Sequence, residues 1–212
     1  MNSYIPLIAL IACAQAPLEQ VQDAQNTSQE EQEDYITERF DFGTVDGEEG
    51  WFALNDDVMG GVSVGEVSLT QDTLIFEGAV STDNNGGFVS LRSPTDSYDL
   101  SDFSEVVISY RAEGHDFSMV LANHSAWYRP KFEHRVISPS SEWTTTTVSL
   151  SDFKQYEMTG YGDVETGVEL SEQHLSNIIR MEFINSEFQG GDFRLELDYV
   201  EFRGFEPQDD DF

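Results

Sequence analysis

Cysteine occurs once in the 212 residues, at Cys13. A single thiol closes no intrachain disulfide and builds no cysteine-based metal cluster. Basic residues are nearly as scarce: Lys and Arg total 10 against 41 Asp and Glu, a formal charge of −31. Only Lys131 and Lys154 are lysines. So acidic a surface repels phosphate, which argues against nucleic-acid binding and against docking to anionic membranes by charge. An acidic, lysine-poor chain stays soluble where salt screens its self-repulsion. His115, His124, His134 and His174 stand without the H-x-H or H-E-x-x-H spacing of a zinc site. No P-loop, dinucleotide fingerprint or nucleophile elbow is present. The sequence therefore points to no catalytic residue, no cofactor and no metal. With 41 acids in the chain, the mere presence of paired carboxylates says nothing of glycosidase chemistry.

The longest apolar run, Ile5 to Ala12, is too short to span a bilayer and has the length of a signal-peptide core. Leu10-Ile-Ala-Cys13 resembles a bacterial lipobox, with Cys13 as the lipidation site and residues 1–12 as the signal peptide. A competing A-x-A cleavage site, Ala14-Gln-Ala16, is followed by Pro17, whose ring obstructs peptidase attack. The expected location is thus the cell envelope, as a periplasmic or outer-membrane lipoprotein touching the membrane only through its lipid anchor. Residues 13–38 are rich in Gln, Glu, Asp and Ala and bury too little apolar area to offset their ordering entropy. They read as an acidic, disordered tether. Residues 206–212 read as a second acidic tail.

Between them, residues 39–205 carry short period-two runs. Leu74, Phe76 and Val80 alternate with Ile75, Glu77 and Ser81. Val106, Ile108 and Tyr110 alternate with Val107, Ser109 and Arg111. Phe193, Leu195 and Leu197 alternate with Arg194, Glu196 and Asp198. Gly, Asn, Asp and Ser clusters separate the runs, as in an antiparallel β-sandwich with one wet face per sheet. The parity slip between Val64 and Val67 predicts a bulge at Gly65-Glu66. Helical signals are confined to one turn at 170–175 capped by Ser171 and another at 151–153.

Two stretches echo each other: Asn55-Asp-Asp-Val-Met-Gly-Gly-Val-Ser63 and Asn84-Asn-Gly-Gly-Phe-Val-Ser-Leu-Arg92. The doublets Gly60-Gly61 and Gly86-Gly87 let backbones approach closely. Asp56 or Asp57 can accept hydrogen bonds from amides at the turn. Even positions share a strand face, so Arg92 emerges with Phe88 and Ser90. The expectation is that Asp57 pairs with Arg92 across the joined motifs, while Met59 and Phe88 seal the contact. Asp56, Asp57, Asn84 and Asn85 are hard oxygen donors, but the Asp-x-Asp-x-Asp spacing of a calcium loop is missing. Trp127 and Tyr128, in Ala126-Trp-Tyr-Arg-Pro-Lys-Phe132, either stack on a sugar or anchor a protein partner. Alternatively Trp127 plugs one end of the sandwich and Arg129 pairs with surface acids.

Trp51 with the first motif, Phe76-Glu-Gly78, and the second motif together resemble the signature of the complex I intermediate-associated protein family, the thirty-kilodalton class. The resemblance continues through Trp143, Val148 to Phe153, and Gly191 to Val200. It implies a galactose-binding-like jelly roll without enzymatic activity. It also implies a chaperone-like role in assembling NADH:ubiquinone oxidoreductase, with a membrane-complex subunit or assembly intermediate as partner. Apart from the resemblance, the motif loops also read as a recognition surface at one end of the sandwich, with Asn55, Asp56, Asp57, Met59, Gly60, Gly61 and Ser63 as binding residues from the first motif. Asn84, Asn85, Gly86, Gly87, Phe88 and Arg92 come from the second, with Trp127 and Tyr128. The export signal departs from mitochondrial relatives, and the alternative expectation is a carbohydrate-binding module of the cell envelope, with a glycan as partner.

Overall fold

A computed structural model describes residues 35–43, 50–159, 162–185 and 189–205. The expected signal peptide, Cys13, the tether up to residue 34 and the tail over 206–212 lie outside the described residues. The first ordered strand, β1 (Tyr35–Asp41), begins ahead of Arg39, inside the segment expected to be tether. It is held by pairing along its whole length with the last strand.

The strands form two antiparallel sheets. One runs β3 (Val64–Leu69), β4 (Leu74–Val80), β13 (Gly191–Phe205), β6 (Glu105–Glu113) and β9 (Ser140–Ser149), with β1 beside the C-terminal half of β13. The other runs β11 (Gly162–Glu169), β10 (Lys154–Thr159), β8 (Lys131–Ile137), β7 (Phe117–Ala122), β12 (Arg180–Asn185), β5 (Val89–Arg92) and β2 (Phe52–Asn55). This is the jelly-roll sandwich expected from the period-two pattern and the family resemblance. Among the described residues the only α-helix is one turn, α1 (Glu172–Leu175), with Ser171 as its N-cap. A 3-10 turn at Leu150–Asp152 is capped by Ser149 Oγ, which accepts from the Ser151 N–H at 3.3 Å.

The inward residues interleave between the sheets. Phe76 of β4 sits 6.1 Å from Phe117 of β7 and 4.8 Å from Phe193 of β13, ring centre to ring centre. Leu91, Met119, Met181 and Phe183 from the seven-stranded sheet, with Leu74, Ile108, Leu195 and Leu197 from the other, are all fully buried. Trp51 lies edge-on to Phe42 at 5.4 Å and over Phe183 at 6.2 Å. Removing this much apolar surface from water is the main source of stability.

Two local expectations fail. β3 pairs with β4 in unbroken register from Val64↔Ala79 to Leu69↔Leu74, so there is no bulge at Gly65-Glu66. The parity slip arises instead because Val64 faces solvent and the inward position is Gly65, where an added Cβ would come within 2.7 Å of the Phe76 ring. The wet face is also missing in places: all six residues of β7 are buried. Its outward residues Ser118, Val120 and Ala122 are small, and the long side chains of the flanking strands β8 and β12 shade them. That shading shapes the site described next.

Candidate functional site

The Gly-Gly motifs occupy two neighbouring crossovers between the sheets. A 3-10 turn at Asp56–Met59 leads from β2 to β3, and another at Asp83–Asn85 leads from β4 to β5. One carboxylate ties them together, and it belongs to Asp56, which is 1% exposed. Its Oδ1 accepts from the Ser63 N–H at 2.9 Å, and its Oδ2 accepts from Ser63 Oγ at 2.7 Å and from the Gly87 N–H at 2.7 Å. The Phe88 N–H approaches the same Oδ2 at 3.4 Å. Burial alone would raise the Asp56 pKa, but the bonds from Ser63, Gly87 and Phe88 outweigh it and hold the group below the usual aspartate value.

The doublets exist to let that carboxylate in. A Cβ on Gly61 would fall 2.3 Å from the Asp56 carboxyl carbon, and one on Gly86 would fall 2.4 Å from Oδ2. Their partners meet a backbone need, with Gly60 at φ 89° and Gly87 at φ 136°. Asn84 and Asn85 are exposed and take left-handed φ values of 57° and 59°, which asparagine tolerates better than most residues. Asn55 braces the start of β3, its Oδ1 accepting from the Gly65 N–H at 3.0 Å. Ser63 Oγ accepts from the Ser81 N–H at 2.9 Å, joining the two crossovers a second time.

The expected Asp57–Arg92 pair does not form. The 3-10 turn points Asp56 inward and leaves Asp57 exposed, while Arg92 points out of the sandwich on β5. The side chain of Met59, expected to help seal the motifs, lies outside the described residues. Phe88 is half-buried and faces outward. Asn185, not singled out by the sequence, completes the clasp from β12. Its Nδ2 donates to the Gly87 carbonyl at 2.9 Å, and its Oδ1 accepts from the Val89 N–H at 2.7 Å.

Arg92 belongs to a second constellation, on the outer face of the seven-stranded sheet. Its Nη2 lies 3.1 Å from Glu182 Oε2, and Arg180 Nε donates to Glu182 Oε1 at 2.9 Å. Ser90 Oγ donates to the same carboxylate at 3.3 Å. The Glu182 side chain is only 2% exposed, covered by the two guanidiniums it joins. Burial, and then the Arg180 charge, push the Arg92 pKa below the usual arginine value, partly countered by Glu182.

This triad lines a groove of about 620 Å³ together with Ala122, at the end of β7. Leu54, Phe88, Ile184, Met158 and Trp127 supply apolar wall. Trp127 and Tyr128 are 60% and 56% exposed and meet edge to face at 5.9 Å, so Trp127 does not plug the sandwich. Arg129 and Lys131 also line the groove, and neither has a carboxylate partner among the described residues. The expectation that Arg129 pairs with surface acids is thereby corrected. A neighbouring hollow of about 370 Å³ shares Glu133 and Asp163 with the groove and adds Arg135, Lys154 and Tyr156. Together the two form one trough running across the strands. Among the described residues no three His, Cys, Asp or Glu converge as metal ligands.

A family model described as complex I intermediate-associated protein 30 matches residues 40–197. No curated protein sequence matches the chain. Among solved structures, the chain is similar to a family 11 carbohydrate-binding module of a cellulosomal cellulase of Clostridium thermocellum. The TM-score is 0.57 at 17% identity, over 80% of this chain and 95% of that one. A second structure of a Clostridium thermocellum family 11 module, in complex with a β-1,3-1,4-mixed-linked tetrasaccharide, matches with the same TM-score at 16% identity, over 80% and 96%.

Proposed function

The chain belongs to the complex I intermediate-associated protein 30 family, and from that premise we propose that it is a non-catalytic binding protein whose ligand, a carbohydrate chain, lies in the trough of the seven-stranded sheet. The observation that carries this reading is the trough itself: an open groove of about 620 Å³ across interior strands, walled by apolar side chains and by an exposed Trp127. An indole with a free face stacks on the apolar face of a pyranose. The backbone of β7, β12 and β5 is already paired on both sides. A peptide lying over these three strands therefore has no free edge to extend by strand addition, a common mode of peptide capture. The similarity to a carbohydrate-binding module solved with a tetrasaccharide agrees with this reading at the level of fold.

Titration with an oligosaccharide panel tests the proposal. Binding raises the melting temperature and shifts Trp127 fluorescence, and Trp127→Ala abolishes both responses. Silence across neutral and acidic oligosaccharides refutes it. A second reading, favoured by the family's own description, is that the protein holds a partner protein during assembly of a membrane complex. Crosslinking in the host and stoichiometric recovery of one membrane protein would support that role. An envelope lipoprotein anchored through Cys13 remains the proposed setting for either reading, tested by fatty-acid labelling of the wild type against Cys13→Ser.

A further inference from the structure

Cations are this chain's scarcest charged groups, and their distribution is uneven. Six of its ten Lys and Arg residues line the trough: Arg92, Arg129, Lys131, Arg135, Lys154 and Arg180. Only three of its 41 acids, Glu133, Asp163 and Glu182, line it with them. Of the six, Arg135 pairs with Asp116 at 2.9 Å and Arg92 and Arg180 share Glu182, while elsewhere every cation is matched. Arg39, Arg111, Arg194 and Arg203 each lie against one or two carboxylates on the other sheet. Both lysines of the chain, with Arg129, have no carboxylate partner among the described residues, although acids outnumber bases four to one. At the trough floor, one buried carboxylate is shared by two guanidiniums. Nη1 of Arg92 and both terminal nitrogens of Arg180 accordingly have no protein acceptor among the described residues.

We infer that the sugars this trough takes are acidic: a uronate chain whose carboxylates are received by Arg92, Arg180, Arg129 and the two lysines, its rings lying against Trp127. This rests on the carbohydrate reading above and names the sugar class. Planar guanidinium forks match planar carboxylates, and the shielding of the floor strengthens such charge-assisted bonds. Cations occur on β5, β12, β8 and β10, which with β7 are consecutive in the sheet. Four inter-strand steps of about 4.8 Å spread them over roughly 19 Å, so the ligand is an oligosaccharide and not a single sugar. A net-negative protein also needs a local positive field to admit an anionic chain, and the trough supplies it.

The test is calorimetric titration of the full chain with oligouronates of several linkages (galacturonate, glucuronate and mannuronate tetramers). Each is compared with the same oligosaccharide after reduction of its carboxyl groups to alcohols. Sulfated neutral oligosaccharides serve as a control for charge alone. The expected result is uronate binding about tenfold or more tighter than its reduced counterpart, weakening steeply between 0.05 and 1 M salt (concentrations chosen on the order of long and short screening lengths). Arg129→Gln/Lys131→Gln removes surface charges with no structural partner, so its melting temperature matches the wild type. That variant loses about tenfold in uronate affinity and much less towards the reduced sugar, so the ratio between the two collapses. Equal or tighter binding of the reduced sugar overturns the inference while leaving the carbohydrate reading standing, and so does a preference for sulfated over uronate chains. Absence of binding to every probe overturns both.

Discussion

Asp56 and Asp57 are neighbours with the same chemistry, and the structure assigns them opposite importance. Replacing Asp56 by Ala removes the acceptor of two buried backbone N–H groups, Ser63 and Gly87, and of the Ser63 hydroxyl. Each buried donor left without a partner costs about 1–3 kcal/mol, and bonds to an ionised acceptor lie at the upper end. The Ser63 hydroxyl retains the Ser81 backbone as a partner and adds little. Two orphaned amides therefore set the loss at about 3–5 kcal/mol. For a domain of this size that corresponds to a fall of roughly 10 °C in melting temperature. Asp56→Asn keeps one carbonyl acceptor but turns an NH2 towards the remaining donors, so roughly half the loss is expected. Asp57→Ala, exposed and without a side-chain partner among the described residues, should stay within about 0.5 kcal/mol of wild type. Urea unfolding of the three variants by tryptophan fluorescence provides the comparison. If Asp56→Ala unfolds with the same midpoint and slope as Asp57→Ala, the clasp does not hold the crossovers.

Four further outcomes follow from the same geometry. Gly61→Ala should equal or exceed Asp56→Ala, because its Cβ would meet the carboxyl at 2.3 Å, whereas Gly60→Ala meets open space and costs only about 1–2 kcal/mol for its positive φ; thermal melts separate the two. Asp56 and Glu196 both titrate below their usual values, burial being outweighed by hydrogen bonds to Asp56 and by Arg194 and Arg111 beside Glu196. Their stabilisation is therefore fully present above the unfolded carboxylate pKa of about 4 and fades as pH falls below it; unfolding at high salt, which screens the net charge, should show this, and Asp56→Asn should flatten the fall. Glu182→Gln leaves two guanidiniums facing each other over a neutral group and should cost about 3–5 kcal/mol by urea unfolding. Trp127 and Trp143, 60% and 45% exposed, should together account for the acrylamide-quenched part of the emission, whereas Trp51, at 6%, stays shielded; Trp127→Phe should remove part of the quenchable signal and Trp127→Phe/Trp143→Phe nearly all of it.

Much of the body could be read from the chain because period-two alternation is a local property. Phe76, Ile108, Phe117 and Leu195 each face the core as their parity requires. The involvement of both glycine doublets was also legible, since a pair of residues lacking Cβ is unusual and repeated. Which aspartate they receive was not. Parity governs strands, and Asp56–Met59 form a 3-10 turn in which direction depends on turn geometry. Parity puts Arg92 on its correct face, but its acid, Glu182, is 90 positions away and reaches it only through strand pairing. The trough was hidden for the same reason. Apart from Arg129, in the turn before β8, its cations lie on four different strands, and the one local hint is the concentration of rare basic residues at Arg129, Lys131 and Arg135.

Tyr35 pairs with Phe205, so the chain enters and leaves the domain side by side, on the sheet whose outer surface points away from the trough. A linker on either side of the module meets it at one doorway at its back. Attachment at that doorway is attachment through the sheet that does not carry the trough.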